Sequence, residues 1–277
     1  MRFAILTCMW QRPKLTKLFL SYYKEMQERL SGQVELELIA VGSEGPITRK
    51  LAKDAGWTYI QMLNNPVSKK WNAGVRYLER VAPDAAIILG SDDFISDNLI
   101  LAYKELIAQD YVLIGVKDMF ILDIDSKRFG RWVGYLPGAD TKRVGETIGM
   151  ARCISRKVLE MVGYDIWGPV EIDSGLDGVM SERFKQLQLN YCSPITAQIH
   201  QVNEDPKLYK WGHVGYYLHE LGAVGIDIKT STNITKLDTY LQFNPECMQW
   251  IEDIEGFFSK HLPYLDFNKI MESDEKT

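Results

Sequence analysis

The chain has 277 residues, of which 46% are hydrophobic and 25% charged, enough for one large α/β domain. Its formal net charge of −5 disfavours a general nucleic-acid-binding surface. Apolar runs stay far below the roughly 20 residues of a membrane span. The run after Met1 is too short for a signal-peptide core, so a cytoplasmic location is expected. The four scattered cysteines form no CxxC pair, which argues against a zinc site or a disulfide framework.

Strand-like and helix-like runs alternate over residues 1–116. The patterns of apolar residues predict strands at 3–6, 34–41, 57–62, 85–89 and 111–116. They predict helices at 13–30, 48–55, 68–81 and 98–108, the third of them capped by Ser68. Successive β-α units are typical of the α/β class, with a mainly parallel, Rossmann-like sheet flanked by helices.

The second half of the chain has a different pattern. A hairpin is predicted over 119–135, strands at 148–154 and 195–202, and helices at 156–162, 176–189 and 247–262. We expect a domain over 1–225, divided into a nucleotide-binding half (1–116) and an acceptor half (117–225). Residues 226–277 are expected to form a C-terminal helical extension that braces the same domain.

An apolar run from Ile87 to Leu89 leads directly into Gly90, Ser91, Asp92 and Asp93, a serine and two adjacent carboxylates. Ligands of α/β sheets bind outside the carboxyl ends of the strands, which is where these residues fall. Two interpretations follow: the carboxylates cap the next helix, or they hold a cation.

The turn after the first strand, "TCMWQRP", contains no glycine, and no P-loop is present. This excludes the glycine-rich phosphate cradle of dinucleotide-binding domains. Any bound phosphate must therefore be held by a cation or by lysine and arginine side chains.

The order of several motifs resembles a known family. The first strand ends in Thr7, and "AVGSEG", "NNPVSKKWNAG", "GSDD", "SRKVLEMVGYD" and "GLDGVMSERF" follow in turn. Together they resemble the GT-A glycosyltransferases of glycosyltransferase family 2, over roughly residues 1–200. The resemblance implies a GT-A fold and transfer of a sugar from a nucleotide diphosphate donor, with inversion at the anomeric carbon and a divalent metal, Mn²⁺ or Mg²⁺.

The resemblance implies that Asp92 is a metal ligand, because it stands at the last Asp of the family's DxD motif. Gly90 replaces the first Asp of that motif, so metal binding could rest on Asp92 together with His200, at the end of "TAQIH". A hard cation between carboxylates and a diphosphate would explain acidic residues in a site for an acidic ligand. A plain surface or core role for His200 is the alternative.

A set of donor-binding residues follows from the same comparison. They are Thr7, Arg12, Glu44, Lys69, Lys70, Asn72, Ser91 and Asp93. Glu44 would replace the acid that the family carries where this chain has Gly42, and Lys69 or Lys70 would pair with diphosphate oxygens. Ordinary alternatives are a strand-end hydroxyl for Thr7, a solvated side chain for Arg12, and a solvated helix start for the two lysines.

An inverting transfer needs a base that takes the proton of the acceptor hydroxyl. The resemblance places it at Asp177, with Arg183 six residues later, although Leu176 replaces the family's Glu. Asp173 competes for the role, and Glu171 is more distant. A helix cap is the structural alternative for Asp177.

The aromatic residues Trp132, Tyr135 and Trp167, with Gly168, would suit an acceptor platform, although core packing explains tryptophans equally well. The expected activity is a metal-dependent, inverting hexosyltransferase with a UDP-linked donor. The acceptor stays open among a saccharide, a protein, a small molecule and a modified nucleic-acid base. Rival functions are a nucleotidyltransferase-type enzyme and a non-catalytic relative that binds a glycan or a partner.

Overall fold

A computed structural model describes residues 1–136, 143–189, 191–192, 212–233, 235–243 and 245–273. The predicted strand at 195–202 and the candidate ligand His200 lie outside the described residues. No helix in the described part of the chain has both the length and the apolar character to cross a membrane.

The described segments contain the following strands: β1 (Arg2–Met9), β2 (Glu35–Gly42), β3 (Thr58–Gln61), β4 (Ala85–Gly90), β5 (Asp93–Ile95), β6 (Leu113–Val116), β7 (Met119–Asp123), β8 (Arg128–Trp132), β9 (Arg152–Ser155), β10 (Tyr191–Cys192), β11 (His213–Tyr216), β12 (Gly225–Lys229) and β13 (Met248–Trp250). The helices are α1 (Pro13–Arg29), α2 (Pro46–Asp54), α3 (Val67–Val81), α4 (Asp97–Ala108), α5 (Arg156–Met161), α6 (Leu176–Gln186), α7 (Leu237–Phe243), α8 (Ile254–His261) and α9 (Phe267–Met271).

The strands form two sheets. The larger has the order β10-β11-β6-β9-β4-β1-β2-β3, and its β3-β2-β1-β4 run is parallel throughout. Strand β9 is antiparallel to both of its neighbours, β4 and β6. This topology confirms the predicted α/β class with a mainly parallel sheet, and it brings the carboxyl ends of the first four β-α units to one edge.

The smaller sheet has the order β13-β8-β7-β12-β5. The chain passes from β4 of the larger sheet into β5 of the smaller one through Ser91 and Asp92 alone. Strand β12 then pairs antiparallel with β5, in a register that places Asp227 opposite Asp93. The acidic "SDD" stretch therefore lies at the junction of the two sheets.

Helix α1 fixes the position of β5. Two buried tyrosines of α1 reach the strand: Tyr22 donates its hydroxyl to the carbonyl of Ile95 at 2.7 Å, and Tyr23 donates to the carbonyl of Asp93 at 2.9 Å. The Tyr23 hydroxyl also accepts the Ile95 N–H at 3.1 Å. Phe94, between them, is fully buried against both tyrosine rings. A short strand with little pairing of its own is thereby held in one register.

One capping alternative and one capping prediction are wrong. The "SDD" carboxylates do not cap a helix, because β5 intervenes and α4 begins only at Asp97, with Ser96 at its N-cap. Ser68 does not cap α3, which begins one residue earlier after Pro66. Its hydroxyl instead donates to the carbonyl of Val170 at 2.6 Å, across the helix start.

The C-terminal region also differs from expectation. The helix predicted over 247–262 is shorter, because Met248–Trp250 pairs with β8 as a strand and α8 begins after its cap, Asp253. The strands at His213–Tyr216 and Gly225–Lys229 were not expected from the sequence. The segment after residue 225 thus contributes strands as well as helices, and the proposed boundaries at 116 and 225 stay predictions.

Close packing against the sheet requires a glycine in α3. A Cβ on Gly74 would lie 2.5 Å from Cδ1 of Leu6 and 2.9 Å from Cγ2 of Val41, both fully buried. We expect Gly74→Ala to lower the free energy of unfolding by about 1–2 kcal/mol in urea titrations, because overpacking outweighs the gain in helix propensity. Gly178→Ala, in α6 with open space around it, should instead be neutral or stabilising. Equal stability of the two variants would contradict this account.

Candidate active site

Three carboxylates meet at the junction of the two sheets. Asp92 and Asp93 follow β4, and Asp227 comes from β12. One carboxylate oxygen from each lies within 4.8 Å of the others. Asp93 and Asp227 are both more than nine-tenths buried. We call these three residues the carboxylate cluster.

Asp92 is held by two donors. Its Oδ2 accepts from Nη1 of Arg12 at 2.9 Å and from Nδ2 of Asn233 at 2.6 Å. Arg12 also donates through Nη2 to the hydroxyl of Ser91 at 3.0 Å. The guanidinium thus fixes both residues of the link between the two sheets.

The other two carboxylates are less well satisfied. Asp93 accepts from the backbone N–H of Gly90 at 2.7 Å. Asp227 accepts from Nζ of Lys229 at 2.5 Å through Oδ2, while its buried Oδ1 has no hydrogen-bond partner among the described residues. A buried carboxylate oxygen without a partner is costly unless a ligand satisfies it.

The protonation of the cluster reflects this crowding. Burial raises the pKa of Asp93 well above its usual range, and the charges of Asp227 and Asp92 raise it further. Burial raises the pKa of Asp227 to about 6, although the Lys229 ammonium opposes the change. Burial also works against the charge of Asp92, but Arg12 and Lys229 hold the pKa of Asp92 below its usual value.

The donor set fits a hard divalent cation. Carboxylate oxygens are the ligands that Mg²⁺ and Mn²⁺ prefer, and one or two of them usually suffice. The unpartnered Oδ1 of Asp227 and the proximity of the three oxygens are the observations that favour an ion here. A cation would relieve the repulsion that raises the pKa of Asp93.

Two cavities meet at this cluster. They share a wall, and the residues that line both are Trp71, Gly90, Asp92, Lys229 and Thr235. We call the cavity toward α3 the first cavity and the cavity toward α6 the second cavity. Asp93 and Asp227 face the second cavity only.

The first cavity has a volume of about 400 Å³ and lies at the carboxyl end of β1. Its polar and aromatic lining includes Trp10, Arg12, Asn64, Lys70, Ser91, Asp173 and Asn233. Trp10 leaves 40% of its surface exposed, so a planar ligand can reach its ring. The cavity combines an accessible aromatic face with three cationic side chains, Arg12, Lys70 and Lys229.

The structure distinguishes the two candidate lysines. Lys70 is only 1% exposed and donates to the Met9 carbonyl at 2.6 Å, the Ser43 hydroxyl at 3.1 Å and Oδ1 of Asn64 at 2.8 Å. Burial lowers the pKa of Lys70, and within the described residues no carboxylate pairs with it. Lys69 is exposed and forms an ion pair with Glu171, outside both cavities.

Three other candidate donor residues lie outside the cavity linings. Thr7 is fully buried in β1, and its hydroxyl has no partner among the described residues. Asn72 is buried and accepts the Trp167 N–H at 3.2 Å, so it supports the loop that carries this tryptophan. Glu44 accepts the Gln11 N–H at 2.9 Å. Their positions support packing and loop geometry.

The two candidate bases lie in different cavities. Asp173 lines the first cavity and accepts the Val67 N–H at 2.8 Å, at the start of α3. Asp177 lines the second cavity from the first turn of α6. Gly175 occupies the N-cap of that helix, so the capping alternative for Asp177 is wrong.

Aromatic side chains form much of the second cavity, which has a volume of about 250 Å³. Trp132 meets the rings of Tyr135 and Tyr240 edge to face, each at a centroid distance of 5.1 Å. Trp167 and Trp71 pack together at 5.9 Å on another part of the wall. Three of the four predicted platform residues therefore line the cavity, and Gly168 does not.

Sequence reasoning missed three residues of the site: Asp227, Lys229 and Asn233. A signal for the first two was present in "GIDIKT", where a carboxylate and an ammonium occupy alternate positions between isoleucines. Alternation places both on the same face of a strand. Two opposite charges on one face of a strand whose other face carries Ile226 and Ile228 indicate a buried polar site.

Comparison with known proteins gives similarity to solved structures only. No protein-family model matches the chain, and no curated protein matches it. Residues 1–349 of S. aureus TarS in complex with UDP match at 15% identity and a TM-score of 0.46, over 66% of this chain and 55% of that one. The chain therefore spans about half of the TarS fragment.

Two further structures cover nearly their whole length. A candidate nucleotide-diphospho-sugar transferase from Desulfovibrio desulfuricans G20 matches at 10% identity and a TM-score of 0.43, over 99% of each chain. The 4-diphosphocytidyl-2C-methyl-D-erythritol synthase of Anaerococcus prevotii matches at 10% identity and a TM-score of 0.45, over 88% of this chain and 97% of that one. Sugar transferases, the class that the sequence motifs resemble, and nucleotidyl transferases both occur among the matches. At these TM-scores, the functional conclusion must come from the site itself.

The two adjacent lysines offer a matched pair of variants. Lys70→Met leaves three acceptors without their donor, and we expect it to lower the free energy of unfolding by about 1–3 kcal/mol. Lys69→Met removes an exposed ion pair and should change stability by less than about 0.5 kcal/mol. Urea unfolding of both variants checks this, and equal effects would contradict the assigned burial of Lys70.

Proposed function

We propose that the protein is a divalent-metal-dependent, inverting glycosyltransferase that moves a sugar from a nucleoside diphosphate donor to a hydroxyl acceptor. The observation that carries the proposal is the carboxylate cluster at the wall between two cavities of different character. One cavity offers cationic side chains, and the other offers a carboxylate base among aromatic walls. A donor and an acceptor that meet at one cation require this division.

Asp92, Asp93 and Asp227 would hold Mg²⁺ or Mn²⁺. When bound there, the ion supplies positive charge to the diphosphate leaving group as the glycosidic bond breaks. Asp92 is the member of the cluster that lines both cavities, so it would face both the diphosphate and the sugar of the donor. The predicted contribution of His200 stays a prediction.

The diphosphate belongs in the first cavity, beside Arg12, Lys70 and Ser91. Arg12 offers a planar set of N–H donors that suits phosphate oxygens, and Lys70 adds a buried positive charge close by. Trp10 presents an exposed ring in the same cavity, where a nucleobase could stack. Uracil is the proposed base, on the strength of the sequence resemblance.

Asp177 would accept the proton of the attacking hydroxyl in the second cavity. Its carboxylate is only partly buried and belongs to the wall that the acceptor would contact. A hydroxyl that enters from this side approaches the sugar opposite to a leaving diphosphate in the first cavity. Such an approach inverts the anomeric carbon. The aromatic walls reduce the space for competing water.

Two rival functions predict a different nucleotide preference or a different turnover. A nucleotidyltransferase would bind a nucleoside triphosphate more tightly than the diphosphate and release pyrophosphate. A non-catalytic relative would bind the donor without turnover. The glycine-free turn after β1 disfavours the first rival.

Calorimetric titration of UDP and GDP, with and without Mn²⁺, tests the donor site. We expect UDP binding that requires Mn²⁺, and an affinity loss of at least about tenfold in Asp92→Asn and in Asp227→Asn, or about 1.4 kcal/mol each. The loss follows because each variant removes a charged oxygen ligand from the cation.

Asp54→Asn serves as the control, since its exposed ion pair with Lys50 lies on α2. It should bind UDP as the wild type does. Binding of UDP that ignores both Mn²⁺ and Asp227 would overturn the proposed metal site. Preferential binding of CTP or UTP with pyrophosphate release would favour the nucleotidyltransferase.

A further inference from the structure

Asp177 stands apart from the other carboxylates of the second cavity. Within the described residues no hydrogen bond reaches its carboxylate, although its backbone carbonyl accepts from Nη1 of Arg152 at 3.2 Å. A carboxylate without a donor keeps both oxygens available for a ligand hydroxyl. Its position must then be fixed by packing and by the backbone that carries it.

Gly149 provides the packing surface. A Cβ on Gly149 would lie 2.2 Å from both carboxylate oxygens of Asp177 and 2.4 Å from its Cγ. The carboxylate therefore rests directly on the glycine Cα. The backbone of Gly149 does not adopt a left-handed conformation, so the need for glycine here is one of space.

Arg152 fixes the backbone around Gly149 relative to the helix turn that carries Asp177. Its side chain is fully buried, with Nε bonded to the Ile148 carbonyl at 3.1 Å and Nη2 to the Thr147 carbonyl at 3.2 Å. Through Nη1 the same guanidinium holds the helix turn that carries Asp177. One side chain thus joins the segment before Gly149 to the first turn of α6.

A buried arginine of this kind is unfavourable for the stability of the fold. Within the described residues Arg152 forms no ion pair, and its hydrogen-bond partners are carbonyls and the sulfur of Met180. A buried charge without a counterion costs free energy that an apolar side chain of similar volume would not. Its fork of donors, however, can hold three backbone points at once, which an apolar side chain cannot do.

We propose that Gly149 and Arg152 are positioning residues that hold the carboxylate of Asp177 where the acceptor hydroxyl loses its proton. The inference rests on the proposed function, and neither residue was a candidate on sequence grounds. Gly149 sets how deep the carboxylate sits, and Arg152 sets the position of the helix turn above it.

The geometry predicts the effect of one methyl group. Cβ contacts below 3.0 Å essentially do not occur, so Gly149→Ala must displace the Asp177 carboxylate by about 1 Å. A displacement of this size costs about 100-fold in rate when it misplaces a reacting group. The variant keeps the carboxylate itself, which separates position from chemistry.

The test measures UDP release from UDP-glucose, UDP-galactose and UDP-N-acetylglucosamine in Mn²⁺, with water as the acceptor. For the donor that the wild type cleaves fastest, we expect Gly149→Ala and Asp177→Asn each to lose about 100-fold in rate. The double variant should be no slower than Asp177→Asn alone, because both changes remove the same function. The affinity for UDP with Mn²⁺ should stay within about twofold of wild type, since the change lies in the other cavity.

Gly178→Ala is the matched control, because it adds a methyl group next to Asp177 in open space and should retain the wild-type rate. Arg152→Lys keeps the charge but not the fork of donors, and Arg152→Met keeps neither. We expect both to turn over more slowly at unchanged UDP affinity, with Arg152→Met the slower. These variants also test the proposal if Gly149→Ala does not fold.

The outcomes separate the two proposals. If Asp177→Asn cleaves donor at the wild-type rate, the assigned base is wrong. If Asp177→Asn is slow but Gly149→Ala and Arg152→Met are not, the positioning inference is wrong and the assigned base stands. If the wild type cleaves none of the donors, a crystal structure of Gly149→Ala decides, and an Asp177 carboxylate within 0.5 Å of its wild-type position, as judged against the roughly 1 Å expected, overturns the inference.

Discussion

Mutual repulsion among three crowded carboxylates, two of them buried, is the constraint on which the site depends. With oxygens within 4.8 Å of one another, each charged pair repels by roughly 3–4 kcal/mol at an effective dielectric of about 20. Arg12 and Lys229 offset part of this repulsion, and burial, followed by the charges of Asp227 and Asp92, still raises the pKa of Asp93. A divalent cation would neutralise the remaining negative charge of the cluster, and a bound diphosphate would complete the coordination of such a cation.

The fold imposes this crowding through the junction of its two sheets. Asp92 and Asp93 follow directly from the central parallel sheet, while Asp227 arrives from the smaller sheet through its pairing with β5. The tyrosines of α1 prevent β5 from relaxing away, because its backbone groups are bound to buried hydroxyls. The same junction separates a cavity with cationic side chains from one with aromatic walls, so a single cluster faces both halves of a transfer reaction.

The parts of this arrangement that sequence could predict are those set by local pattern. Apolar periodicity was enough for the first four β-α units, for the hairpin of β7 and β8, and for the position of the "SDD" stretch at a strand end. The pairing of β12 with β5 could not be predicted from local pattern. Asp227 was therefore missed, although the sequence shows it two residues before Lys229, on the same face of a strand. Local patterns also could not distinguish Lys69 from Lys70, since burial depends on where α3 lies against the sheet. The contact between Gly149 and the Asp177 carboxylate arises only from tertiary packing.

The most direct test is a crystal structure with Mn²⁺ and UDP, with anomalous scattering recorded for manganese. We expect one strong anomalous peak in contact with carboxylate oxygens of Asp92, Asp93 and Asp227, and diphosphate oxygens on the side of the first cavity. Two results would contradict the proposed metal site. In one, UDP binds in the first cavity without manganese at the carboxylate cluster. In the other, manganese binds elsewhere while Arg12 stays paired with Asp92 and Lys229 with Asp227.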